Sequence, residues 1–189
     1  MTKNNSVDYS FSENNTFVSI IIGKFVVDIQ LLHIDFKDEF LSLIEAIHFK
    51  KIFFLIENLI KDKDFNNHLY LSILLTDNKY IKETNKKFRK KSYPTNIISF
   101  PSNEYIYFKD KKSFISQHSL HFGDIIISIE KIFSEAKEEN KNFKNHFFHI
   151  LIHGLLHLLG YDHYDNKTAN DMEKLEVSIL NSIGIVNPY

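Results

Sequence analysis

The 189-residue sequence contains no cysteine and no tryptophan, and only three prolines, five glycines and one arginine. Without cysteine the chain can form no disulfide and can offer no thiolate to a metal, so histidine and carboxylates are its only strong zinc ligands. No apolar run approaches the roughly 20 residues that a membrane-spanning helix needs. The polar residues 1–16 lack the apolar core of a secretory signal. We therefore expect a cytoplasmic protein with no membrane association.

The charge balance is close to neutral, which limits what the whole surface could attract. Lysine and arginine together number 23 and the acidic residues 24, for a formal net charge of −1. A nucleic acid would have to bind a local basic patch. The length and the 43% hydrophobic content suit one ordinary globular domain.

The order of apolar patterns predicts a single α+β domain over residues 17–189, preceded by a flexible segment at residues 1–16. We expect a small mixed β-sheet covered by helices, one of which carries a metal-binding histidine cluster. Strands are predicted at 17–29, with a bulge or turn at Gly23, and at 68–75, 96–100 and 124–129. Helices are predicted at 38–61, with a break near Phe49, at 77–88, from 129 through the histidines, and at 169–183. Residues 102–121 are expected to form a loop.

The run HGLLHLLGYDH at 153–163 is the most specific chemical signal in the chain. Residues four apart on a helix lie about 6 Å apart on one face, so His153 and His157 can reach the same ion. Gly160 can end the helix in the left-handed conformation and let the chain return His163. Three nitrogens leave one coordination position open, as in catalytic zinc sites. The spacing therefore predicts a metal site, with zinc expected, although three imidazoles also suit nickel, copper or iron.

A single histidine on an apolar helix is more often a core residue than a ligand. Three imidazoles in one apolar segment cost free energy unless each finds a partner, and a shared cation serves all three. His146 and His149 extend the stripe upstream, where no turn returns another ligand. We expect a packing or surface role for these two, and a role beside the metal or facing the substrate stays open.

Three acidic residues are candidates for orienting a ligand imidazole. Asp124 and Asp162 are the nearest, and either could instead be a turn or cap residue. Glu173, on the last predicted helix, could reach the cleft, but an exposed helix glutamate is the default expectation.

The histidine spacing also matches the HExxHxxGxxH pattern of metzincin proteases, except at one residue. In those enzymes a glutamate after the first histidine is the general base for peptide hydrolysis. Here that residue is Gly154. A metallopeptidase would need a carboxylate from elsewhere in this chain.

A basic cluster lies upstream of the histidines. Seven basic residues and one acid, Glu83, occur between 79 and 91. A solvated helix face would account for them, but Arg89 is the only arginine, and a guanidinium makes planar bidentate contacts with phosphate that lysine makes poorly. The loop that follows offers the hydroxyl of Thr95 and the amide of Asn96 for hydrogen bonds to phosphate or base edges.

Together these segments resemble the YbeY family of endoribonucleases, also called ribosomal RNA maturation factors. The resemblance covers residues 65–189 and is carried by the histidine run, by Phe88-Arg89 with PTNIISFP at 94–101, by FGDIIIS at 122–128 and by the ending GIVNPY. It implies an α+β fold with a single zinc ion. The family residues fall on metal ligands His153, His157 and His163 and on the active-site Arg89, while Thr95 and Asn96 are the substrate-binding candidates from their hydroxyl and amide groups. The family often has aspartate where this chain has Asn96, which leaves no catalytic duty assigned there.

The resemblance further implies a single-strand-specific endoribonuclease that matures ribosomal RNA at the 16S 3′ end and acts in ribosome quality control. The expected mechanism is metal-assisted phosphodiester hydrolysis, in which zinc lowers the pKa of bound water toward ~7 and Arg89 neutralises charge on phosphorus. Expected partners are ribosomal RNA, the small subunit and a ribosomal protein or assembly GTPase, but not DNA. The alternatives are a non-catalytic ribosome-assembly factor braced by the metal and, less favoured, a metallopeptidase.

Overall fold

The structure, a computed structural model, describes residues 7–11, 16–35, 37–45, 47–60, 68–103 and 119–186. Six strands form one sheet in the order β1-β2-β3-β4-β6-β5. The strands are β1 Val7–Phe11, β2 Thr16–Ile22, β3 Phe25–Leu31, β4 His68–Thr76, β5 Ile97–Pro101 and β6 Ser119–Ser128. The pairs β1–β2, β2–β3 and β5–β6 are antiparallel, and β3–β4 and β4–β6 are parallel. The sheet is therefore mixed, as predicted.

The described residues form six helices, which pack on this sheet or on one another. They are α1 Lys37–Glu45, α2 Ile47–Leu59, α3 Asn78–Arg89, α4 Ile129–Glu138, α5 Phe143–Leu158 and α6 Asn166–Ser182. Four of them begin at a side chain that accepts a hydrogen bond from the first turn, namely Asp77, Ser128, Asn142 and Asp165. These caps satisfy backbone donors that a helix start leaves unpaired.

The central helix, α5, is apolar on most of its surface because it is packed on several sides. It contacts β5, β6, α2, α4 and α6. Gly154 allows the approach to the sheet, since a Cβ at this position would lie 2.4 Å from Ile97 Cδ1 and 3.1 Å from Ser99 Oγ. The Ser99 hydroxyl donates to the Gly154 carbonyl at 3.2 Å. Any side chain at residue 154 would therefore collide with β5.

The structure corrects several predicted boundaries. The strand β1 lies within residues 1–16, for which we expected no regular structure, and its alternation of Val7, Tyr9 and Phe11 with polar residues was the overlooked signal. The predicted strand at 17–29 is a hairpin whose turn is at Gly23, with φ of +60°. The helix predicted at 38–61 divides after Glu45 and not near Phe49, which is buried within α2.

Two further predictions differ from the structure, one for the loop expected at 102–121 and one for the long helix expected from 129. Residues 119–121 belong to β6, so the loop prediction is wrong there, while residues 104–118 are outside the described part of the chain. The long helix predicted from 129 onwards is two helices, α4 and α5. The chain turns between them at Asn140, whose φ is +53°.

Within the described ranges, no helix has the length and apolar character needed to cross a bilayer.

Candidate metal centre

The three histidines predicted as ligands come together at the end of α5. His153 and His157 stand on its last two turns, and one ring nitrogen from each of the three residues lies within 4.8 Å of the others. The return of His163 depends on Gly160, whose φ of +86° is the left-handed conformation that favours glycine. The N–H of Tyr161 then donates to the carbonyl of Leu156 at 3.0 Å, which folds the chain back over the helix end.

The hydrogen bonds of His153 and His157 fix the tautomer of each ring. His153 Nδ1 lies 2.8 Å from Glu176 Oε1, and His157 Nδ1 lies 3.0 Å from the carbonyl oxygen of Tyr161. A carboxylate and a carbonyl accept hydrogen bonds, so both Nδ1 atoms carry the proton. In a neutral imidazole the other nitrogen, Nε2, is then left with an exposed lone pair.

The two Nε2 atoms face one another at only 3.0 Å. Two lone pairs at that distance repel, and a cation that accepts both would relieve the repulsion. Tetrahedral zinc with histidine ligands places neighbouring nitrogens about 3.3 Å apart. The donor set therefore fits a metal ion such as zinc, which His153, His157 and His163 would hold.

The electrostatics of the site favour the neutral, metal-binding form of its central ligand. Burial lowers the pKa of His157, and the neighbouring ring of His153 lowers it further. His163 is exposed, so one side of the cluster opens to solvent. Three ligands and an open side leave room for a water molecule or a substrate oxygen.

The carboxylate that orients His153 is Glu176, which the sequence analysis did not identify. Its side chain is 1% exposed and also lies 3.4 Å from His149 Nε2, through Oε2. A sequence signal for it exists. Glu176 interrupts the apolar stripe of α6 formed by Met172, Ile179 and Leu180, where a charged residue needs a buried partner.

The three acidic residues that the sequence suggested for orienting a ligand imidazole make other contacts in the structure or are exposed. Asp124 points away from α5, because its neighbours Gly123 and Ile125 both face that helix and side chains alternate along a strand. Asp124 pairs instead with His121 at 3.2 Å. Glu173 is exposed on α6, as expected by default.

Asp162 acts locally at the turn that presents His163. Its Oδ1 accepts the backbone N–H of His163 at 2.7 Å, whereas His163 Nδ1 is 3.7 Å away. Burial raises the pKa of Asp162, but the hydrogen bonds from the His163 N–H and the Tyr164 side chain, together with the charges of His157 and His163, leave the pKa below its ordinary value. Asp162 therefore fixes the backbone of the turn.

The upstream histidines are buried against carboxylates. His146 Nε2 lies 3.0 Å from Glu135 Oε2, and Asn96 Nδ2 donates to that same oxygen at 3.1 Å. Burial raises the pKa of Glu135, but the hydrogen bonds from His146 and Asn96 outweigh it, so the pKa lies below its ordinary value. His149 shares Glu176 with His153, which places it directly beside the metal cluster. The packing expectation fits His146, whereas His149 takes the role beside the metal that the sequence left open.

The predicted RNA-binding residues lie around the end of α3. Arg89 is the last residue of that helix and is exposed. Thr95 and Asn96 lead into β5 and are half-buried. Because the Asn96 amide donates to Glu135, it ties this loop to α4 and α5. The structure therefore gives Asn96 a positioning contact that the sequence did not predict.

Most of the chain is similar in sequence to one known family. Residues 33–184 match the family model described as Endoribonuclease YbeY. The Endoribonuclease YbeY of Francisella philomiragia is 44% identical over 132 residues, which cover 69% of this chain and 80% of that relative. The Francisella tularensis subsp. novicida protein of the same name is 43% identical, covering 69% and 78%. A solution structure of a Thermotoga maritima protein has 22% identity and a TM-score of 0.49, covering 82% of this chain and 91% of that one. This chain belongs to the YbeY family of endoribonucleases.

Proposed function

We propose that this protein is a zinc-dependent endoribonuclease that cleaves single-stranded RNA by hydrolysis of a phosphodiester bond. The observation that carries the proposal is the pair of Nε2 atoms of His153 and His157, which face each other at 3.0 Å with His163 beside them. Zinc bound there would supply a water whose pKa is lowered toward ~7. A carboxylate base is then unnecessary, which suits a site whose neighbouring residue is Gly154.

The protein's own residues provide orientation and charge. Glu176 and the Tyr161 carbonyl hold the two helix imidazoles with their Nε2 atoms directed at one point. Arg89 would neutralise the negative charge that grows on the phosphoryl oxygens. Thr95 would donate a hydrogen bond to the strand, and Asn96 would keep the loop in place through Glu135. The support for these roles is the exposed, basic surface at the end of α3.

The substrate we propose is ribosomal RNA, with cleavage in maturation of the 16S 3′ end and in ribosome quality control. The small subunit, with a ribosomal protein or an assembly GTPase, would present the RNA to the enzyme in the cytoplasm. This assignment rests on the family resemblance of the motifs. A peptidase is disfavoured because Gly154, the residue after His153, offers no carboxylate as general base.

A non-catalytic assembly factor is the second candidate. It is favoured by one observation, the bridging of α5 and α6 by Glu176, because a metal on His153 would strengthen that link and brace the fold. Such a protein would bind ribosomal RNA without cutting it.

The decisive experiment compares wild type, His157→Ala and Arg89→Ala on a defined single-stranded RNA at equal folded concentration. We expect His157→Ala to lose both metal and cleavage. Arg89→Ala should keep its metal and cleave about 100-fold more slowly. Lys79→Ala, an exposed basic residue at the opposite end of α3, is the matched control and should cleave normally.

Two outcomes would contradict the proposal. Equal cleavage by wild type and His157→Ala would show that the activity does not belong to this metal site. RNA binding by metal-loaded wild type with no cleavage would favour the assembly factor.

A further inference from the structure

Two large aromatic side chains are exposed at the end of the basic helix α3. Phe88 is 57% exposed and Tyr93 is 54% exposed. Apolar surface of this size is normally buried, so it needs an explanation when it occurs beside a binding surface. Neither ring is used in the metal site described above.

The structure holds the ring of Phe88 and the backbone of Tyr93 in place. The ring of Phe88 packs edge-on against Phe100 of β5, with centroids 5.0 Å apart and planes inclined by 71°. The backbone of Tyr93 is fastened to the last turn of α3, because the side-chain amide of buried Asn85 donates to the Tyr93 carbonyl at 2.8 Å. The chain reverses between them at Lys90, whose φ is +60°.

The fastening at Asn85 involves a second hydrogen bond. The Lys91 N–H donates to the Asn85 backbone carbonyl at 3.3 Å, so the loop is attached to the helix by both the side chain and the main chain of one residue. Side chains fixed before binding lose little freedom on binding. Rigid, solvent-facing aromatic rings are typical of surfaces that stack on nucleic-acid bases.

The surroundings of the two rings are strongly basic. No aspartate or glutamate occurs between residues 84 and 103. Exposed cations lie within three residues of the rings along the chain, namely Lys86, Lys87, Arg89, Lys90 and Lys91, and Lys87 Nζ lies 5.2 Å from the centroid of the Phe88 ring. An apolar protein partner would not require this charge, whereas a phosphate backbone would be attracted by it.

We propose that Phe88 and Tyr93 form a stacking platform for unpaired RNA bases, while the surrounding cations hold the phosphates. This inference rests on the proposed function and deepens it, because it explains how the enzyme would select single strands. In an RNA duplex the bases are already stacked inside the helix, and their faces are not available to side chains. A single strand offers a free face for each ring.

The test measures RNA binding directly, in a His157→Ala background that prevents cleavage. The probes are a fluorescently labelled single-stranded RNA oligonucleotide and its duplex with the complementary strand. We expect Phe88→Leu and Tyr93→Leu each to weaken single-strand binding about five- to tenfold and to leave duplex binding unchanged. The matched controls are Phe54→Leu and Tyr70→Leu, which remove exposed aromatics away from the basic cluster and should bind as before.

A second measurement uses the absence of tryptophan from the natural chain. Phe88→Trp introduces the chain's only tryptophan at the platform. It preserves an aromatic ring, so we expect normal binding. Its emission should be quenched by single-stranded RNA and much less by duplex RNA.

The possible failures are distinguishable. If single-stranded RNA binds tightly but neither leucine variant weakens it, the platform is wrong and the proposed function stands. Equal weakening of single-strand and duplex binding, or no quenching of Trp at residue 88, would also overturn the platform. If the His157→Ala protein with both rings intact binds no RNA at all, the proposed function itself fails, and the platform fails with it.

Discussion

The two halves of the histidine stripe on α5 differ in what faces each imidazole. Upstream, His146 Nε2 meets a carboxylate oxygen of Glu135. Downstream, the Nε2 atoms of His153 and His157 meet each other. The Nε2 atom of the upstream ring is satisfied by the protein, although its Nδ1 is buried without a partner, whereas the downstream Nε2 atoms face only each other and are suited to bind a cation. His146 and His149 are three residues apart and His153 and His157 are four apart, but all four lie on one helix, so the partner of each ring nitrogen distinguishes the histidine that supports the fold from the candidate metal ligands.

Glu176 connects the two halves of the stripe. One oxygen lies 2.8 Å from His153 Nδ1 and the other 3.4 Å from His149 Nε2. A buried carboxylate is stable only when its charge is compensated, here by the imidazoles of His149 and His153, and a metal bound to His153 would add to that compensation. The comparison between the halves can therefore be tested by changing each part in turn.

The largest effect is expected from removing a downstream nitrogen. His157→Ala should weaken zinc binding by more than about 100-fold, since loss of a ligand exceeds the 10- to 100-fold loss typical of an outer-shell partner. Competition with a chelating indicator measures the affinity, and circular dichroism checks that the variant is folded. An affinity within threefold of wild type would contradict the assignment of His157 as a ligand.

A smaller loss of metal affinity is expected for Glu176→Gln. The amide keeps the shape of the side chain but removes the charge that strengthens His153 as a ligand, so zinc affinity should fall about tenfold or more. The same indicator assay measures it. Glu173→Gln, on the exposed side of α6, is the control and should bind zinc as wild type does; equal affinities for all three proteins would refute the role of Glu176.

A substitution in the upstream half should lower the stability of the protein and leave its zinc affinity unchanged. His146→Leu leaves Glu135 without its imidazole partner, which should lower the free energy of unfolding by about 1–2 kcal/mol. Chemical denaturation of the metal-free protein measures this change. A marked loss of zinc affinity in the same variant would show that the two halves are not separate.

The smallest effect concerns the pH dependence of stability. The pKa of Glu135 is below its ordinary value in the folded protein, so the stability it contributes is fully present above the unfolded pKa, near 4.5, and is lost as the pH falls through the folded pKa. Glu135→Gln should therefore lose less stability than wild type on acidification below pH ~4.5. Unfolding curves of both proteins across this pH range measure the change in stability. Equal losses of stability in wild type and Glu135→Gln would contradict the prediction.

The sequence predicted the metal cluster because its determinants are local. The four-residue spacing of His153 and His157 and the left-handed turn at Gly160 lie within eleven consecutive residues. The apolar stripe of α6 indicates that Glu176 is buried, but its contact with His153 depends on how α6 packs against α5, which that local spacing does not reveal. Asp124 was proposed beside the metal although alternation along β6 turns it to the opposite face of the sheet.

The fold was predictable to a similar degree. The mixed sheet and the histidine helix followed from apolar periodicity, and the caps at Asp77 and Asp165 mark helix starts that the chain itself encodes. The pairing of β4 with β6 across an intervening helix and strand is a long-range contact. Such contacts depend on the whole chain, so sequence patterns alone do not determine them.

The central claim is that three imidazoles from the end of α5 and the following turn bind one metal ion. The most direct measurement is zinc stoichiometry with X-ray absorption spectroscopy on protein purified without a histidine tag. We predict one zinc per chain, with three histidine nitrogens at about 2.0–2.1 Å and a lighter oxygen ligand in the remaining position. Protein that takes up no transition metal, or a bound zinc whose ligands are mainly carboxylates, would contradict the account.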